Sequence, residues 1–279
     1  MVRTVPQRWS AVNSLLRVDL STIGCMSPRS RAWLKPLGRH AAALVASAGV
    51  ALSVLPPALA IPEADAIKKL SVIPVFVITD ANGIPLPIPR EKNLVLPLYL
   101  EGDRAARELA ALLQSNPNLK ANVVPVPLNV MNEKVVDLNK QLKDKTKPLV
   151  APVVLNEADV KEAIAILKTE GLTEKQIQEG LNVPLFFTNP FLTINTPEGP
   201  RGVFFLSYAE LQKALSGLPQ AERSKLKPKV ADISAVIEQI TKTKEDSFVI
   251  FPTREYFRLV EEAKAKAQSA PSAPAKPAK

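Results

Sequence analysis

From Ile61 to Lys266 the chain alternates short apolar runs with stretches of helical period. Runs rich in Val, Ile, Leu and Phe at 72–79, 94–100, 122–128, 149–155, 183–195, 202–206 and 247–251 predict β-strands. Leu109, Leu112 and Leu113 predict one helix face, ended by Asn116-Pro117. Met131, Val135, Leu138 and Leu142 predict a second, and Val160, Ala163, Ile164 and Leu167 a third, stopped by Gly171. Strands and amphipathic helices in this order specify an α/β fold of mixed α+β character, each sheet packed with helices.

One unit recurs: a strand ends, a small polar residue follows, and a helix begins. Asn156, Ser207 and Thr253 fill the polar slot, where a side-chain oxygen can accept from free helix N–H groups. Thr173 with Gln176, and Ser207 with Glu210, have capping-box spacing. The larger pattern repeats at an offset near one hundred residues: the segment from Pro74 resembles that from Pro184, and 93–113 resembles 201–218. This predicts an internal duplication into two pseudo-symmetric halves, 61–171 and 172–262.

Prolines interrupt the apolar runs at Pro74, Pro97, Pro125, Pro152 and Pro184. Proline cannot donate to a sheet ladder, so it belongs at strand starts, bulges or edges. There it sets where pairing begins and guards apolar strands against joining other chains.

The ends of the chain differ from this body. Basic Lys35 and Arg39 precede an apolar run from Ala41 to Leu55, and Ala58-Leu59-Ala60 follows as a small-x-small cleavage pattern. Residues 1–60 therefore predict a targeting region removed on export, with Met26 as an alternative start. The apolar run falls short of the ~20 residues of a membrane span, although a retained anchor or a transit peptide are the rival readings. The tail, 263–279, is Ala, Pro, Lys and Ser and predicts disorder.

Removing the leader changes the charge and the chemistry. The whole chain has 36 Lys+Arg against 27 Asp+Glu, a net +9. Residues 1–60 hold seven of the basic groups and a single acid, Asp19, which leaves 29 against 26. With the four tail lysines also set aside the body is near neutral, and no basic stripe with interleaved aromatics remains to suggest nucleic acid. The only cysteine, Cys25, the only histidine, His40, and both tryptophans go with the leader. An imidazole triad, a thiol nucleophile and a Cys/His zinc site are thereby excluded from the body. No G-x-S-x-G, G-x-G-x-x-G or P-loop occurs. Ser224 to Lys227 fits S-x-x-K without its partner motifs and reads as a solvated basic loop. Asp80-Ala81-Asn82-Gly83 reads as a tight turn rather than a calcium loop, since Ile84 and Ile88 fall where oxygen ligands are needed. A cleft gathering Asp and Glu with raised pKa values would be the remaining route to an enzyme.

Ten of the twelve aromatics in the body lie from Phe186 onward. Neighbours such as Phe186-Phe187 and Phe204-Phe205 project to opposite faces of a strand, so both faces are apolar. Phe76, Phe186, Phe187, Phe204 and Phe205 are the candidate client-binding residues, with burial in a two-sided core as the competing reading.

The strand Pro74-Val75-Phe76-Val77-Ile78-Thr79-Asp80, the runs 183–187 and 202–207 and the doubled strand–cap–helix unit resemble the Tic-twenty-two family. That family comprises soluble components of the chloroplast inner-envelope protein translocon and their cyanobacterial homologues. The resemblance covers most of 62–262. It implies a non-enzymatic, chaperone-like protein without cofactors, acting in a periplasm, a thylakoid lumen or an intermembrane space. Its implied partners are unfolded precursor or outer-membrane proteins, an Omp-type outer-membrane assembly barrel, and a membrane surface met peripherally. A carrier of a lipid or other small apolar ligand is the alternative.

Overall fold

Pro74, which has no N–H to donate, is the first residue of the first long strand, β1 (Pro74–Asp80). Before it, a short helix, α1 (Glu63–Lys68), and a 3-10 turn (Lys69–Val72) bury Ala66 and Leu70. The computed structural model describes residues 61–243 and 245–269. The expected leader, the alternative start at Met26 and the chain beyond Ser269 lie outside the described residues.

After β1 the Asp80 carboxylate accepts from the N–H groups of Asn82 and Ile84 at 2.8 Å, and Gly83 takes φ +79°, closing the predicted turn. Three short strands follow, β2 (Ile88–Pro89), β3 (Leu94–Val95) and β4 (Leu98–Tyr99), and, after the helix α2 (Gly102–Ser115), the longer β5 (Ala121–Pro127). Helix α3 (Leu128–Gln141) leads to β6 (Leu149–Val150) and β7 (Val153–Val154), then α4 (Glu157–Thr169) and α5 (Glu174–Gly180). β1 pairs antiparallel with β5 along its whole length and meets β4 at Phe76–Tyr99; β4 pairs parallel with β7, giving the order β5-β1-β4-β7. β2, β3 and β6 form a small companion sheet.

The rest of the chain adds further strands and helices. β8 (Pro184–Asn189), β9 (Thr193–Thr196) and β10 (Gly199–Phe204) precede α6 (Tyr208–Ser216) and the short α7 (Gln220–Arg223). β11 (Lys227–Asp232), α8 (Ile233–Thr241), β12 (Phe248–Ile250) and α9 (Arg254–Ser269) complete it. β8 pairs antiparallel with β11 and is bridged to the end of β10 by mutual backbone bonds between Phe186 and Phe205 (2.7 and 2.8 Å). β12 lies parallel to β10, whose other neighbour is β9.

The core divides by the faces of these sheets. A central cluster joins Val75, Val77 and Leu98 of the β5-β1-β4-β7 sheet to Val183 just before β8, Leu185 of β8 and Phe204 of β10, through Leu128 and Met131 of α3 and Ile233, Ile237 and Ile240 of α8. Each such side chain contributes roughly 1.5–3 kcal/mol by leaving water. On the far face of the second half, Ala163 and Leu167 of α4 pack with Leu211 and Leu215 of α6 over Phe186, Val203 and Phe205. On the far face of the first, Leu259 of α9 packs beside Ala105 of α2 over Phe76 and Tyr99. α4 thus packs over β8 and β10, and α9 over β1 and β4.

Several expected boundaries move, each for a physical reason. The runs 94–100 and 149–155 are each split at proline, into β3 and β4 around Pro97 and into β6 and β7 around Pro152. Their parallel ladder still runs through: Leu94, Leu96, Leu98 and Leu100 donate to the carbonyls of 148, 150, 152 and 154 at 2.8–3.4 Å. The run 183–195 is two strands, separated where Asn189-Pro190 is cis. The basic loop is shorter than expected, because Lys227–Asp232 forms β11, its Lys229 paired with Glu170 at 3.0 Å. The α8 helix, unsignalled in the sequence reading, starts where the Asp232 carboxylate accepts from Ser234 N–H at 2.9 Å. Disorder was expected from residue 263, but the last helix continues to Ser269, since Ala, Lys and Gln favour helix and Arg258–Glu262 and Lys264–Glu261 pair along it.

Candidate functional site

The five candidate phenylalanines fall into three places. Phe76 lies across from Tyr99 under α9, with the Arg258 guanidinium 6.0 Å from its ring centre. Gly102 is there because a Cβ would come 3.0 Å from the Phe76 ring. Phe186 and Phe205 belong to the far-face core of the second half, where Phe186 tilts on Tyr208 at 5.4 Å and Phe205 on Phe251 at 5.3 Å. Phe187 and Phe204 point the opposite way, as strand alternation requires, and meet edge-on at 5.3 Å. Phe76, Phe186, Phe204 and Phe205 are buried side chains, so a client cannot touch them while their neighbours stay in place. Phe187 alone of the five is half-buried.

Phe187 and Phe204 lead to a grouping missed in the sequence reading. Phe191 stacks on Phe187 at 5.0 Å and packs on Phe204 at 5.5 Å and on Phe248 at 5.1 Å. This quartet lies over Gly202, where a Cβ would stand 3.0 Å from Phe248 and 3.1 Å from Phe191. Glycine between two aromatic strand segments was the available signal, because only a missing side chain lets rings lie flat on a strand. Three of the four rings, those of Phe187, Phe191 and Phe248, are half-buried and form an apolar shelf on the second half.

A second apolar feature is a shallow depression beside β1 and β4, partly open to solvent, with a cavity volume of about 50 Å³. Ile78, Ile88, Leu96, Tyr99 and Leu112 line it, with Glu108 as its one charged group. Burial pushes the Tyr99 hydroxyl up to about 12; the Glu108 charge adds to this and Arg104 opposes it. The phenol therefore stays neutral at any physiological pH.

Between the halves lies a polar joint. Asn156 caps α4 by accepting from Ala158 N–H at 2.8 Å, and its amide donates to Glu101 at 2.7 Å. Ser207 does not cap α6 with Glu210 as expected; the Asp159 carboxylate of α4 takes over, accepting from Tyr208 N–H at 2.8 Å and Ser207 Oγ at 3.2 Å. Glu210 instead accepts from the backbone N–H of Arg254, at the start of α9, and keeps one buried oxygen without a partner. The caps at Thr253 and at Thr173 with Gln176 are present as expected. Burial raises the pKa of both Asp159 and Glu210 against these hydrogen bonds, and nearby carboxylates add to it. These are the paired acids that a carboxylate-only enzyme would need, but their oxygens are directed at helix N–H groups rather than into a cleft. Among the described residues no three His, Cys, Asp or Glu side chains are grouped to hold a metal ion.

The sequence model of the Tic22-like family matches residues 11–262. The chain belongs to this family. The Tic22-like fold is also that of two solved structures. Anabaena Tic22, described as a protein of protein transport, aligns at 20% identity with a TM-score of 0.54, covering 77% of this chain and 100% of its own. Tic22 from Plasmodium falciparum aligns at 18% identity with a TM-score of 0.55, covering 72% of this chain and 98% of its own. No curated protein matches this Tic22-like chain.

Proposed function

We propose that this Tic22-like protein is a non-enzymatic, chaperone-like component of protein transport in an extracytoplasmic compartment, shielding apolar segments of unfolded clients. The family match across residues 11–262 carries the reading, and the solved Anabaena relative bears the description of protein transport. In this proposal the clients are precursor or outer-membrane proteins, and the compartment is a periplasm or a thylakoid lumen. An Omp-type assembly barrel is the membrane partner. The half-buried shelf of Phe187, Phe191 and Phe248 and the depression above Tyr99 are the contact surfaces, and the buried phenylalanines shape them from beneath. Contact there is worth ~25 cal/mol per Å² of apolar area before ordering costs, which suits weak, sequence-tolerant capture. At about 50 Å³ the depression is too small for a lipid chain, which favours a polypeptide client.

The same proposal includes duplication into halves at 61–171 and 172–262, with a disordered tail beyond the last helix. Phe76–Tyr99 and Phe186–Phe205 are equivalent bridges between equivalent strands. Leu128 N–H donates to Ile73 O at 2.9 Å, and Ile233 N–H donates to Val183 O at 2.9 Å, so both central helices begin alike.

The test is light scattering of an urea-diluted outer-membrane barrel protein with and without this protein. The expected result is suppressed aggregation at near-stoichiometric ratios. Unchanged scattering together with no detectable complex would refute the reading.

A further inference from the structure

The outer strands of this protein are not equally guarded. β5 carries Pro125 and Pro127, β11 carries Pro228 between Lys227 and Lys229, and β2 ends in Pro89. β7 and β12 are two and three residues long. β9, at Thr193–Thr196, has four residues with neither proline nor charge. Thr193, Ile194 and Asn195 are exposed, Ile194 by 40%. Such an edge is open to a further strand.

Its hydrogen-bond parity follows from the hairpin. β9 pairs antiparallel with β10 from Gly199–Thr196 to Gly202–Thr193, and Val203 N–H donates to Leu192 O at 3.0 Å. In an antiparallel ladder bonded pairs alternate, so Ile194 and Thr196 exchange bonds with β10 while Thr193 and Asn195 do not. Pro200, without an N–H, sits opposite Asn195 as this parity demands. The N–H and C=O groups of Thr193 and Asn195 therefore point away from the sheet, and among the described residues nothing pairs with them. Residues opposite one another share a face, so Thr193 lies on the side of Gly202 over which Phe191 and Phe248 pack.

We propose that the outer edge of β9 is a strand-docking site, taking an extended segment of unfolded polypeptide with alternating apolar side chains. The segment adds a strand through the Thr193 and Asn195 backbone and lays every second side chain beside the Phe191 shelf. This rests on the client-binding reading and gives it a place and a mode. A second copy is not the occupant: two four-residue edges bury far less than the ~1,200–2,000 Å² of a stable interface. A passing client, held weakly and released, fits so short an edge.

The probe is a fluorescein-labelled twelve-residue peptide alternating Val and Thr between terminal lysines, with a twin N-methylated at alternate residues. Binding is read by anisotropy, and amide protection by hydrogen exchange. Asn195→Pro removes an outward donor while sparing every β9–β10 bond, and its melting curve checks the fold. Asn195→Thr keeps the donor. The expected results are protection at Thr193 and Asn195, roughly fivefold or greater weakening in N195P, wild-type binding in N195T and poor binding of the twin. The proposal is overturned if the peptide does not bind, if N195P or the twin binds like its parent, or if protection appears elsewhere. Edge protection that grows with protein concentration alone would also overturn it, in favour of self-pairing. If N195P suppresses barrel aggregation as wild type does with β9 unprotected, the edge fails and the chaperone reading stands. If the peptide docks at β9 but aggregation is unaffected, the reverse holds.

Discussion

Asp159 holds two donors of α6 from a neighbouring helix, yet burial and the charges of Glu101 and Glu162 keep its carboxyl partly reluctant to ionise. The folded state therefore binds protons there, and at Glu210, more tightly than the unfolded chain does. Stability contributed by these groups grows as pH falls through their raised pKa and is lost as pH rises into the neutral range. The melting temperature should rise on mild acidification from neutral pH, in the window just above the ordinary carboxylate range. Asp159→Asn, which still accepts from Tyr208 N–H, should flatten that profile; an unchanged pH slope would contradict the assignment. Gly202→Ala tests the aromatic shelf. A methyl group there meets two rings at 3.0–3.1 Å, and forcing them aside should cost ~1–3 kcal/mol in urea denaturation. Asp159 could not be singled out from its neighbours in sequence, because its partners lie about fifty residues away; at Gly202 the flanking aromatics were the only signal.

Among the elements, helix starts offer a graded comparison. Thr173→Ala removes a reciprocal cap and should cost about 1 kcal/mol. Asn156→Ala removes a cap and also leaves Glu101 without its amide donor, so it should cost more, up to ~2 kcal/mol. Equal losses in chemical denaturation would deny the second bond any weight. The elements themselves were largely readable, since periodicity exposed the faces of α2, α3 and α4, and the prolines marked the starts of β1 and β8. Three features escaped for identifiable reasons. β11 hides its single buried valine, Val230, behind lysines and a proline. α8 carries a helical stripe, with Ile233, Val236, Ile237 and Ile240 buried and Ala235, Glu238 and Gln239 exposed, but it is only nine residues long and its β-branched residues read equally well as strand. The Ser207–Glu210 box has the right spacing but loses its serine to Asp159, a competition decided only in three dimensions.

At the level of the whole molecule, the crossed closing helices make the halves interdependent. α4 is packed on the second sheet and α9 on the first, and α3 and α8 share one core. Residues 61–171 expressed alone should fail to fold, as should 172–269, each leaving an apolar sheet bare. Coexpressed, the two pieces should reassemble into a soluble complex seen as one peak in gel filtration. A cooperative melting transition for either piece alone would contradict the crossing. The strand–helix pattern was visible in the chain, but the crossed packing was not, because a pattern in sequence says nothing about which sheet a helix will cover. The crossing also orders events in time. A chain made or threaded N-terminus first delivers β1, with Phe76 on it, long before Leu259 arrives to roof it. The earlier portion must wait, unfinished, until α9 has appeared. Maturation is thereby tied to the emergence of α9, and a molecule cut short upstream of it would stay recognisably immature.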